Sequence, residues 1–150
     1  MNLVRSHRTR RAATAGVTLL LAAVLGTAGA ATSTAETAAP QSQQIASSVL
    51  GSDYKITLTA LRSPTDEYAA SVQLKVYKHD SGAWKQSDRV TVGNVDGWFW
   101  YPLTGSHAVC EFSTASTEPA PLAVSLTVTP SIGCSEPVHY VVKQGRVYAD

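Results

Sequence analysis

From Leu122 to Thr129 the chain alternates with a period of two: Leu122, Val124, Leu126 and Val128 fall on one side, and Ala123, Ser125, Thr127 and Thr129 on the other. Successive side chains of an extended chain point to opposite faces, so this spacing predicts a strand with one buried face and does not supply the stripe that a helix needs. The same period recurs upstream. Tyr54, Ile56, Leu58 and Ala60 alternate with Lys55, Thr57 and Thr59, and Val72, Leu74 and Val76 alternate with Gln73, Lys75 and Tyr77. From Ala83 to Val92 the parity of Trp84, Val90 and Val92 is interrupted by Gln86 and Asp88, which fits a strand at a sheet edge or one carrying a bulge. Ala108, Cys110 and Phe112 form a further alternating set, and Val138–Lys143 and Arg146–Tyr148 form a closing hairpin around Gln144-Gly145.

Turn chemistry separates these runs: Ser63-Pro64-Thr65-Asp66, His79-Asp80-Ser81-Gly82, Asn94 to Gly97, Ala115 to Pro121 and Pro130 to Pro137. Seven to eight short strands at this spacing, with no helical periodicity, predict an all-β fold. We expect an antiparallel β-sandwich, immunoglobulin-like or jelly-roll-like.

The two cysteines, Cys110 and Cys134, allow one intramolecular pairing, and a single disulfide is expected. Their spacing is too short for the inter-sheet bridge of an antibody domain, so the bond is expected to tie one strand to the loop beyond its neighbour.

Ahead of the strands lies a segment of another kind. Arg5, Arg8, Arg10 and Arg11 precede an apolar run from Ala12 to Ala30, which ends in the small-x-small pattern Ala28-Gly29-Ala30. Residues 1–30 are therefore read as a signal peptide, with a membrane anchor as the alternative and Arg10-Arg11 as a weak twin-arginine feature. Residues 31–48 are small and polar, and they are read as a flexible Ala/Ser/Thr-rich tail ahead of a single β domain over 49–150. Losing the four signal arginines from 12 Lys and Arg leaves eight against 11 Asp and Glu, a net charge of −3. That balance argues against nucleic acid and anionic membrane as partners.

No stretch carries a catalytic motif. GxSxG and HExxH are absent, Ser106 and His107 are adjacent in sequence, and His79, His107 and His139 read as surface residues. Asp66, Glu67, Asp80, Asp88 and Asp96 fall in or near turns, where Asp serves the backbone, and none fits a calcium loop. No catalytic residue, metal ligand or cofactor is expected. One stretch does stand out, the short aromatic strand Trp98-Phe99-Trp100-Tyr101, which follows a hairpin-type turn at Asp96-Gly97 and is ended by Pro102. In a strand, Trp98 and Trp100 face one way and Phe99 and Tyr101 the other, so a sandwich covers one pair and leaves the second for a loop or a partner. All four are candidate binding-surface residues.

The Arg-rich start, the Ala/Thr-rich body and the Ala/Ser/Thr tail, over residues 1–48, resemble those of small exported proteins of high-GC actinobacteria. The resemblance implies secretion. Such organisms export β-rich protease and amylase inhibitors, but the subtilisin-inhibitor-like and tendamistat-like families carry two disulfides where this chain can form one. The tendamistat-like proteins also present a Trp-Arg-Tyr triplet, whereas Trp98-Phe99-Trp100-Tyr101 has no Arg. The expectation is a secreted, extracellular, non-enzymatic β-sandwich with a protein or glycan partner. A carbohydrate-binding module and a secreted enzyme inhibitor are the alternatives.

Overall fold

The computed structural model describes residues 41–150. The segments expected to be a signal peptide and, as far as residue 40, a flexible tail lie outside them. In chain order the elements are β1 (Ser42–Leu50), β2 (Tyr54–Arg62), β3 (Ala69–Asp80), β4 (Ala83–Thr91), β5 (Trp98–Phe99), the single helical turn α1 (Trp100–Thr104), β6 (Val109–Thr114), β7 (Ala120–Thr129), β8 (Gly133–Cys134), β9 (Val138–Lys143) and β10 (Arg146–Ala149).

Two antiparallel five-stranded sheets form a β-sandwich. One has the order β1-β2-β3-β4, with β5 also pairing with β3. The other has the order β10-β9-β7-β6, with β8 also pairing with β7. The main path of each sheet is thus a meander, with the two-residue β8 intervening in sequence between β7 and β9. The chain completes the first sheet before starting the second, where immunoglobulin-like and jelly-roll paths cross between sheets by Greek-key connections.

The alternation read from the sequence becomes the core. Ile56, Leu58, Ala60, Val72, Leu74 and Val76 of the first sheet meet Leu122, Val124, Leu126 and Val142 of the second, all of them buried. At about 25 cal/mol per Å² of apolar surface, each such side chain contributes roughly 1.5–3 kcal/mol relative to exposure.

Ser42–Ser48 correct the expectation of a flexible tail over 31–48. They lie in β1 and pair with β2 from Ser42↔Leu61 to Leu50↔Tyr54. An edge strand needs few apolar side chains when its neighbour satisfies the backbone, so Ile45, Ala46 and Leu50 suffice as its contribution to the core. The folded domain therefore begins before residue 49.

β4 is the edge strand of its sheet and carries a bulge: Val76 faces Asp88 while Tyr77 faces Gln86, with Ser87 left over. Both readings offered for its broken parity hold. The bulge reverses which side chains face inward, so Val90 turns toward the core while Trp84 is exposed and packs on His79, with ring centroids 4.9 Å apart. The bulge also joins the sheets. Ser87 Oγ donates to Gly145 O at 2.8 Å, and Asp88 Oδ2 accepts the Val147 N–H at 2.9 Å.

Cys110 and Cys134 form the expected disulfide, with Cα atoms 6.1 Å apart. It connects β6 to β8, two strands that each pair with β7, and so spans a neighbouring strand as the short spacing suggested.

Candidate functional site

The aromatic stretch is built by an interruption. β4 and β5 both run antiparallel to β3: Gln73 faces Thr91 at the end of β4, and Ala70 faces Trp98 at the start of β5. Gly93–Gly97 is therefore an excursion within one continuing strand path and not the hairpin that Asp96-Gly97 suggested.

Contacts made by Gly93, Asp96 and Trp98 close this excursion. The Trp98 indole N–H donates to Val92 O at 2.8 Å. Asp96, held at a φ of 54°, accepts from Ser63 Oγ and Ser71 Oγ, each at 3.2 Å, and its own N–H donates to Ser71 Oγ at 2.8 Å. Gly93, with a φ of 71°, lies against the Trp98 ring, and a Cβ there would sit 3.4 Å from it. Asp tolerates the left-handed region and serves as a local acceptor, which is why this Asp stands here.

After Phe99 the chain leaves the strand path. Trp100–Thr104 form a helical turn at one end of the sandwich, where Trp100 and Leu103 enter the core. Pro102 was expected to end a strand. It sits in the first helical turn, where a backbone N–H would have no partner in any case. Thr104 Oγ1 donates back to Trp100 O at 3.0 Å.

The division of the four rings survives this change of geometry. Trp98 and Trp100 are 8% and 9% exposed, whereas Phe99 and Tyr101 are 45% and 58% exposed. Trp98 and Trp100 therefore belong to the core and leave the candidate binding surface. Phe99 and Tyr101 remain on it.

The structure adds two residues that were not singled out from the sequence. Tyr68, just ahead of β3, is 59% exposed, and its ring lies 6.1 Å from that of Tyr101, tilted by 54°. Arg62, at the end of β2, ties the patch together. Its guanidinium carbon is 5.8 Å from the centroids of both Trp100 and Tyr101. Its nitrogens donate to Glu67 O at 3.0 Å, Gln41 Oε1 at 2.9 Å and Tyr101 Oη at 3.4 Å. The Glu67 carboxylate is 3.9 Å away, an ion pair too exposed to matter much to stability. These contacts come from positions as far apart as 41 and 101, so no local pattern could have revealed them.

Beside Tyr101 a concavity of about 390 Å³ opens, lined by Pro102, His107, Thr127 and Pro130 among others. The Thr127 hydroxyl donates to His107 O, which fixes this wall. The end of the sandwich is thus an exposed aromatic surface with an adjoining hollow. The groups it presents are aromatic rings and one guanidinium engaged in internal bonds. Among the described residues, no group of three or more His, Cys, Asp or Glu is placed to share a metal ion, and no helix is long and apolar enough to cross a membrane.

No protein-family model matches this chain, and no curated protein or solved structure was found to match it.

Proposed function

We propose that this chain is a secreted, non-enzymatic binding protein that engages a protein partner through the end of its sandwich formed by Tyr68, Phe99 and Tyr101. The observation that carries the reading is the split of the aromatic stretch. Two rings complete the core, while Phe99 and Tyr101 stand in solvent beside a third exposed ring. Exposed aromatic side chains with few rotamers, fixed by a stacked Arg, are the groups that anchor protein interfaces. The tilt between Tyr68 and Tyr101 favours a shaped protein surface over a flat sugar ring, which stacks best on a planar platform. An inhibitor is the form this reading takes if the partner is itself an enzyme. Secretion is supported by the signal-like residues 1–30 and by a disulfide, which persists in oxidising compartments.

The test is capture from culture supernatant on the immobilised domain, with a panel of glycans run alongside. We expect a protein to be retained by the wild type and lost from a Tyr68→Ser/Phe99→Ser/Tyr101→Ser variant that still unfolds cooperatively well above the assay temperature. Equal retention by that variant, or retention of glycans alone, would overturn the proposal.

A further inference from the structure

We infer that the opposite end of the sandwich holds a second site, a cleft for a small neutral saccharide. There the start of β2, the end of β3, the segment ahead of β7 and the β9–β10 turn enclose a hollow of about 510 Å³. Asp53, Tyr54, Lys78, Glu118, Pro119 and Lys143 are among the residues lining it, and His79 stands at the side. The volume falls within the range of small-ligand sites, about 300–1,000 Å³.

The charges of this cleft are unusual in being unspent on one another. The ion pairs among the described residues are Arg62–Glu67 and Lys85–Asp80, so Lys78 and Lys143 pair with neither Asp53 nor Glu118 although all four line one hollow. Several walls are held in place. Glu118 Oε1 accepts the Gln144 N–H at 2.8 Å, which orients the carboxylate at the edge of the hollow. The stem of Lys78 packs on Gly145, where a Cβ would come within 2.6 Å of Lys78 Cδ. The Tyr54 phenol, raised above its ordinary value by burial and then by Glu118, stays protonated and is directed at that carboxylate.

The balance of groups selects the ligand class. The two ammonium and two carboxylate groups cancel, so the hollow has no excess of either sign with which to hold an ion. A sugar hydroxyl both donates and accepts, and it meets acceptors at Asp53 and Glu118 and donors at Lys78 and Lys143. The Tyr54 ring and Pro119 supply apolar surface for the C–H face of a pyranose. This inference is independent of the aromatic end, which lies at the other ends of β2, β3 and β7.

The test is an amide chemical-shift titration of the mature protein with maltose, cellobiose, trehalose and N-acetylglucosamine, with the zwitterion Ala-Ala as a comparison. We expect saturable millimolar binding of at least one saccharide, with shifts at Tyr54, Lys78, Glu118 and Gln144 and none at Phe99 or Tyr101. The double variant Lys78→Met/Lys143→Met alters exposed side chains only and should weaken that binding about tenfold, as expected for lost hydrogen bonds from charged donors. Gly145→Ala, which displaces the Lys78 stem, should weaken it in the same direction. Failure of every saccharide to saturate, saturation by Ala-Ala alone, or shifts centred on the aromatic end would each overturn the assignment.

Discussion

Neighbours in sequence play opposite parts along Trp98–Tyr101, and single substitutions should separate them. Trp100→Ala removes a ring that completes the core and should cost about 3–5 kcal/mol of stability in denaturant unfolding. Tyr101→Ser removes an exposed ring whose contacts, with Arg62 and with Tyr68, are partly solvated. It should cost about 1 kcal/mol or less while abolishing partner capture. A second residue-scale expectation concerns alkaline pH. Burial pushes the Tyr140 phenol above its ordinary value. The folded state then keeps Tyr140 neutral where the unfolded chain ionises it. Its contribution is therefore intact below the unfolded tyrosine pKa, about 10, and is lost as the pH rises from there through the folded value. Tyr140→Phe should flatten the fall of the melting temperature above about pH 10, and a slope identical to that of the wild type would contradict this account.

Among the elements, the Gly93–Gly97 excursion and the β4 bulge connect a local motif to the shape of the site. Asp96 is the latch of the excursion, since its carboxylate accepts from Ser63 and Ser71 while its own N–H donates to Ser71 Oγ. Asp96→Ala leaves two serine hydroxyls without their acceptor. It should destabilise the domain by about 1.5–3 kcal/mol, with increased amide exchange over 93–99. These elements also mark what was legible beforehand. The period-two strands β2, β3, β7 and β9 could be read directly, because a one-sided core imposes that period on every strand it buries. The bulge in β4 was visible as broken parity at Gln86 and Asp88. β1 was missed because an edge strand draws its order from pairing with β2, and the polar run of Ser42–Ser48 carries little trace of that. The turn at Asp96-Gly97 was recognised but its topology was not, since a hairpin and an excursion call on the same residues. Likewise, the in-and-out alternation of the four aromatic residues was predicted for a strand. It persisted where the strand gives way to α1 because Trp100 still had a core to enter.

For the molecule as a whole, two meanders close around one core and leave two unlike ends, one aromatic and plugged by α1, the other charged and hollow. Arg62 and Tyr68 reach the aromatic end only through the pairing of β2 with β3 and of β3 with β5. The residues of that site therefore could not be assembled from sequence beyond Phe99 and Tyr101. The Cys110–Cys134 bond closes a loop of 24 positions at the α1 end of β7. On the chain-entropy account it should contribute roughly 3–4 kcal/mol, so reduction should lower the unfolding midpoint accordingly and leave the strand signal in circular dichroism intact. The account stands most directly on the aromatic end being a contact surface. Hydroxyl-radical footprinting, read residue by residue with and without the protein fraction retained by the domain, tests that. In the free domain Tyr68, Phe99 and Tyr101 should be oxidised while Trp98 and Trp100 are spared. With the retained fraction present, the first three should become protected while Trp84, on the β3–β4 hairpin, stays reactive. Oxidation of Trp98 and Trp100 in the free domain, or protection of Trp84 with none at Tyr68 and Tyr101, would contradict the account.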